Sequence, residues 1–315
     1  MNTKLEFHGS DIEKVCEHYG LKKDDIVNFG ANVNPLGLSE QVKKALAAHL
    51  DLLSSYPDRS YTSLRNILST YCQIPADFIL PGNGSSELIS LLIEEHRPKH
   101  TMILGPTYSE YSRELGFSDS TIDCFYLKPE QDFQLSVEEL CLALAKKQID
   151  FLILCNPNNP TGTLLSPNDV LRMHRDVRNS GGELIVDEAF IDYCTDATGR
   201  HHVQDGLTVV GSLTKILCIP GVRLGYICAA PEQIARLQER AVTWSLNVLA
   251  SAVAAELPRH QAEIAADAQA NQARAERFAR CLQEMGVRVT AGRVPFLLAD
   301  FGHDMTKTVQ HLRAQ

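Results

Sequence analysis

The chain has 315 residues, 44% apolar and 22% charged, with a formal net charge of −9: enough to bury a large core over two subdomains, with the composition of an ordinary soluble protein. The acidic balance speaks against general nucleic-acid affinity, which needs a basic face, but leaves room for a local basic pocket. No apolar run approaches membrane-spanning length, residues 1–9 lack the apolar stretch of a secretory leader, and the nine cysteines contain no C-x-x-C pair, so they read as reduced thiols of a cytoplasmic protein with no metal site.

In chain order, residues 1–35 read as an arm, with a helix near 10–19 stopped by Gly20 and an extended piece at 26–29. Asn34-Pro35-Leu36-Gly37 turns the chain into a helix at 39–50, and a second helix is predicted over 62–72. From about 79 the pattern alternates. Apolar strand candidates lie near 101–104, 122–127, 151–155, 183–187, 207–211 and 224–229, and helical patterns near 85–95, 108–115, 136–147, 167–179 and 232–239. Such alternation predicts an α/β fold with a mostly parallel central sheet flanked by helices. A long helical stretch over roughly 244–284 is expected to lead out of this unit, followed by one strand at 296–300 and a helix near 304–314. The expected organisation is an arm (1–35), a large α/β domain (36–245) and a small C-terminal α/β subdomain (246–315).

Short segments at the ends of the apolar runs carry the chemistry. Asn156-Pro157-Asn158-Asn159-Pro160-Thr161-Gly162 follows the run 151–155, and Asp187 closes the run 183–186. Ser212-Leu213-Thr214-Lys215 follows the run 207–211, with Arg223 eight residues past the lysine. In open α/β sheets ligands bind at the carboxyl ends of the strands. A lysine delivered there can form a Schiff base with an aldehyde once burial or neighbouring positive charge lowers its pKa. An aspartate there can keep a pyridine nitrogen protonated, and Asn159 can bond a phenolic oxygen. Pro81-Gly82-Asn83-Gly84-Ser85-Ser86-Glu87 places small residues at a helix start, which makes an anion site. It lacks the Gly-Lys-Ser/Thr of a P-loop and the third glycine of a dinucleotide loop, and alone it reads as a strand–turn–helix. Beside the other segments it reads as a phosphate cradle, completed by Ser212 and Arg223. Aldehyde, phenolic oxygen, pyridine nitrogen and phosphate together describe pyridoxal 5′-phosphate (PLP).

With Asn159, Asp187, Lys215 and Arg223 in that order, and Asn-Pro-Thr-Gly at the first, the chain resembles the fold-type-I PLP enzymes of aminotransferase class I and II over essentially its whole length. The resemblance implies that fold, that cofactor, and a homodimer with shared active sites. It sets Tyr108 of Pro106-Thr107-Tyr108 on the pyridine ring, and Gly84 and Ser85 in the phosphate loop. It sets Tyr56 of Tyr56-Pro57-Asp58 against the cofactor phosphate of the neighbouring subunit, although on its own that tripeptide reads as a turn. Lys215, Asp187 and Tyr108 are the expected catalytic residues.

Within the family the chain looks closest to the L-threonine-O-3-phosphate decarboxylases of cobalamin biosynthesis, including relatives acting on O-phosphoserine, and to histidinol-phosphate aminotransferases. The arm residues His8-Gly9-Ser10 and 28–37 are like the decarboxylase arm, where the matching histidine and asparagine lie near the substrate phosphate; this gives His8 and Asn32 a substrate-binding role. Phe190 stands where typical aminotransferases have a tyrosine. The expected reaction is decarboxylation of O-phospho-L-threonine or O-phospho-L-serine to an amino alcohol phosphate. Transamination is the alternative reading, and cofactor binding without turnover the third. The resemblance also implies roughly 40–50 further residues after Gln315, supplying small-domain strands and an arginine for the substrate carboxylate. The small subdomain is therefore expected to be incomplete, and Arg293 and Arg313 do not match that arginine's motif.

Overall fold

The computed structural model describes residues 11–313, and the expected substrate residue His8 lies outside the described residues. Helix α1 (Ile12–Tyr19) ends at Gly20, whose φ of 68° supplies a left-handed cap. The arm continues through a 3-10 turn (Lys23–Asp25) without forming a strand. It is pinned at the buried Asn34, whose N–H donates to the Lys215 carbonyl (3.0 Å) and whose side-chain amide donates to the Ile216 carbonyl (3.2 Å) and to Asp267 (3.1 Å).

Helix α2 (Glu40–Ala48) starts at Ser39, whose hydroxyl accepts from the Val42 N–H, and α3 (Thr62–Cys72) follows. The alternating part then runs β1 (Ile79–Asn83), α4 (Gly84–His96), β2 (His100–Gly105), α5 (Glu110–Leu115), β3 (Thr121–Tyr126), α6 (Val137–Lys147), β4 (Phe151–Cys155), α7 (Pro167–Asn179), β5 (Glu183–Glu188), β6 (Thr208–Ser212), β7 (Leu224–Cys228) and α8 (Pro231–Arg240). Serine hydroxyls cap α6 (Ser136 from Glu139 N–H) and α7 (Ser166 from Asp169 N–H), and Pro167 opens α7, where a missing N–H costs nothing.

The strands form one seven-stranded sheet in the order β1-β7-β6-β5-β4-β2-β3. Strand β7 is antiparallel to both its neighbours, and every other pairing is parallel. The expectation of a mostly parallel α/β sheet flanked by helices is met. Strand β4 is apolar and buried at every position because both faces of the sheet are covered there, while the edge strand β3 is largely exposed. In β4, Leu152 and Leu154 point into the core built with α3, α6 and α7 (Leu68, Leu140, Met173), while Phe151 and Ile153 join the core built with α4, α5 and α8 (Leu92, Leu115, Leu237).

The C-terminal part corrects two expectations. The stretch 244–284 is not one helix: α9 (Val248–Ala254), a 3-10 turn (Leu257–Arg259) and α10 (Gln261–Glu284) succeed one another. Pro258 explains the break, since it lacks an N–H and its ring clashes with the preceding turn. The last part holds two strands, not one: β8 (Arg288–Ala291) pairs antiparallel with β9 (Leu297–Asp300). Strand β8, Arg-Val-Thr-Ala, is short and half polar, so it gives no apolar run to read. Helix α11 (Thr306–Arg313) ends the described part. Among the described residues no helix is long and apolar enough to cross a membrane.

Candidate active site

One end of the sheet collects nearly every residue singled out from the sequence. Strands β1, β2, β4, β5 and β6 run in one direction and end there, while β7 begins there. Gly84 and Ser85 directly follow β1, Tyr108 and Asn159 follow β2 and β4 within a few residues, Asp187 lies in the last turn of β5, Ser212 ends β6, and Arg223 precedes β7. The register pairs Cys155 with Asp187, Ser212 with Gly225 and Asn83 with Leu224.

The anion pole is built from β1, α4 and β7. Gly84 has a φ of +83°, a conformation open to glycine, and a Cβ there would strike the Arg223 guanidinium. Arg223 itself reaches the Asn83 carbonyl (3.4 Å). Gly225 allows the backbones to close up, since a Cβ on it would lie 2.7 Å from Ser85 N. The Arg223 guanidinium thus stands beside Gly84 at the start of a 13-residue helix, whose first N–H groups have no partner within the helix and whose dipole favours an anion. The buried Ser212 hydroxyl, shared with Thr214 at 2.8 Å, borders this pole through its pairing with Gly225.

Lys215 is half-buried, and its Nζ lies 5.9 Å from the centre of the Phe190 ring. Burial lowers its pKa; the Asp187 carboxylate opposes that shift and Arg223 adds to it. Less of the amine is protonated than in water, as a nucleophile requires. Asp187 is 2% exposed. Burial raises its pKa, while the Tyr111 hydroxyl, the Ala189 N–H and Lys215 pull it back toward the ionised form. The Tyr111 hydroxyl donates to Asp187 Oδ2 at 2.6 Å, and the Ala189 N–H donates to Oδ1 at 2.9 Å. Tyr108 stands edge-on to Tyr111, with ring centres 5.5 Å apart.

The Asn-rich loop divides its labour. Asn156 and Asn158 are spent on the loop itself: Asn156 exchanges hydrogen bonds with the Leu165 backbone, and Asn158 bonds Pro106, Thr107 and Thr161. Asn159 is left half-exposed, and its Oδ1 accepts from the Asn32 side-chain amide at 3.2 Å. The arm residue expected near substrate thus meets the residue expected near the phenolic oxygen. Tyr56 stands apart, 82% exposed, with its ring 4.9 Å from that of Trp244.

Tyr111 had no part in the sequence reading, and Asn34 was read only as part of a turn. The signal for Tyr111 is its spacing of three from Tyr108, which lies just ahead of α5 and whose carbonyl accepts from the Tyr111 N–H at 3.3 Å. Asn34 lies in a segment that reads as a plain turn, and its partners are far away in sequence.

This donor set fits PLP: a cationic helix start for the phosphate, a half-buried amine for the aldehyde, a buried carboxylate for the ring nitrogen, an amide for the phenolic oxygen and an aromatic ring for the π face. The family model for aminotransferase class I and II matches residues 24–315. The threonine-phosphate decarboxylase of Salmonella typhimurium is 37% identical over 249 residues, 78% of this chain and 68% of the relative. A histidinol-phosphate aminotransferase of Desulfitobacterium hafniense is 31% identical over 281 residues, covering 87% and 77%. The fold matches the crystal structure of the Sinorhizobium meliloti histidinol-phosphate aminotransferase in complex with pyridoxal-5′-phosphate with a TM-score of 0.86 at 17% identity, over 96% of this chain and 83% of that one. The chain belongs to the aminotransferase class I and II family, with the fold-type-I α/β architecture and pyridoxal 5′-phosphate as its cofactor.

Proposed function

We propose that the protein decarboxylates a phosphorylated amino acid, O-phospho-L-threonine or O-phospho-L-serine, to the corresponding amino alcohol phosphate used in cobamide biosynthesis. The observation that carries this reading is the reach of the arm: Asn32 contacts Asn159 directly, which brings an arm residue to the cofactor edge where a substrate phosphate needs amide donors. The likeness to a threonine-phosphate decarboxylase supports the same reading. When bound, the cofactor accepts electrons from a bond broken at the substrate α-carbon. Lys215 anchors it and moves the proton at that carbon, Asp187 holds the ring nitrogen's proton, and Tyr108 covers the ring face. Gly84, Ser85, Ser212 and Arg223 hold its phosphate, and Asn159 orients its phenolic oxygen. Phe190 offers no hydroxyl beside that oxygen and leaves Asn159 as the donor there.

The test is carbon dioxide release from each phosphoamino acid with PLP present and no 2-oxo acid added. Release without an acceptor is the expected result. Turnover that requires a 2-oxo acid and converts it to an amino acid would replace this reading with the aminotransferase one, which the histidinol-phosphate aminotransferase relative favours.

The same proposal includes a homodimer in which Tyr56 serves the neighbouring subunit's cofactor phosphate. Its support is an exposed aromatic corner: Tyr56 lies on Trp244, the Arg59 guanidinium stands 5.6 Å from the Trp244 ring centre, and Leu50, Leu53 and Val242 are also exposed. Exposed apolar surface of this kind marks an interaction face. Light scattering on the purified protein is expected to give twice the chain mass, and a monomer at micromolar concentration would remove Tyr56 from the site.

A further inference from the structure

The hydroxyl of Tyr111 is the least explained polar group near the site. Its side chain is fully buried and could have been phenylalanine at no packing cost, yet it ends on Asp187 Oδ2 at 2.6 Å. The same ring stands edge-on to Tyr108 at 5.5 Å and 84°. With the Ala189 N–H on Oδ1 at 2.9 Å, each carboxylate oxygen has one fixed donor and one remaining lone-pair direction. A buried carboxylate left without donors would take a proton, since burial alone disfavours the charge. Helix α5 is thereby a brace for both ring-facing residues, one through an edge contact and one through a hydrogen bond.

We propose that Tyr111 is a positioning residue that lowers the basicity of Asp187 and so keeps the shared proton on the pyridine nitrogen of the bound cofactor. This rests on the reading in which Asp187 faces that nitrogen. A donor on the far side of a carboxylate weakens its hold on a proton on the near side, so the ring stays cationic and remains the stronger electron sink. The direction of the bond matters: the phenol donates, because Asp187 as a carboxylate can only accept. Burial raises the Tyr111 pKa well above its ordinary value, which keeps the phenol in its donating form.

The experiment compares the wild type with Tyr111→Phe, each loaded with PLP labelled with nitrogen-15 in the ring, and with a third protein carrying 3-fluorotyrosine at position 111. The fluorinated phenol is a stronger donor of nearly the same shape. Expected results are a ring-nitrogen resonance in the protonated range for the wild type, a shift toward the neutral range in Tyr111→Phe, and a shift the opposite way, or none beyond full protonation, in the fluorinated protein. Loss of one hydrogen bond to a charged group should weaken cofactor affinity by about 10- to 100-fold in Tyr111→Phe, and kcat should fall with little change in KM. A purely structural role for the ring would leave the nitrogen resonance in place, because phenylalanine fills the same space.

A protonated wild-type resonance that Tyr111→Phe does not move overturns the Tyr111 proposal alone. A wild-type resonance in the neutral range overturns the placement of Asp187 and the proposal with it.

Discussion

Replacing Lys215 with alanine is expected to abolish turnover, by about four orders of magnitude or more, since in the proposed function the residue supplies both the covalent anchor and the proton-moving base. The half-buried amine sits near Asp187 and Arg223 with a lowered pKa, and the described site offers no second lysine in its place. The check is borohydride reduction of the PLP-loaded protein followed by peptide mass mapping. The wild type should carry the cofactor mass on the peptide containing Lys215. The variant should carry none and should release PLP on gel filtration. A covalent adduct on another peptide would mean that the lysine is misidentified.

Asp187→Asn is expected to separate stability from function. Burial raises the folded-state pKa of Asp187 above its unfolded value. The native state therefore binds this proton more tightly than the unfolded chain, and the stability of the cofactor-free protein falls as pH rises through the folded pKa. Above that folded pKa the full penalty applies. Asparagine carries no charge, can accept from the Ala189 N–H through its oxygen and can donate to the Tyr111 oxygen through its nitrogen. Wherever Asp187 is ionised the cofactor-free variant should therefore be more stable than the wild type, by about 0.5–2 kcal/mol, the gain common for single stabilising substitutions, and its stability should depend less on pH. With PLP the order reverses. A buried charge partner has been removed, and affinity and turnover should fall by about 100- to 5,000-fold, corresponding to about 3–5 kcal/mol. Urea unfolding with and without PLP at pH 5 and pH 8 measures both halves. A cofactor-free variant less stable than the wild type at pH 8 would show that Asp187 is structural first, and unaltered PLP affinity would remove it from the ring nitrogen.

Most of the large sheet was legible because its strands are local objects. Each is a short apolar run closed by polar or small residues, as in 151–155 before the Asn-rich loop and 183–186 before Asp187. The two-sided core makes such runs unambiguous. The C-terminal region was less legible. Helix α10 shows few buried positions, so its apolar stripe gave no hint of where it begins, and Pro258 was absorbed into a longer helical pattern. Strand β8 mixes arginine and threonine with its apolar residues and lacks the signal that marked the others.

The sequence by itself determined the residues proposed to hold the cofactor: a lysine, an aspartate, an asparagine and a glycine-rich helix start, each at the end of its own strand, are specified by residues a few positions apart. The tertiary structure alone decided how they meet. Strand β7 enters between β1 and β6, which lays Arg223 on Gly84 across 139 positions of chain. The Tyr111–Asp187 bond spans 76 positions and the Asn32–Asn159 bond spans 127. Strand order and the folding-back of the arm follow from burying two sheet faces at once, a global packing condition that no local pattern encodes.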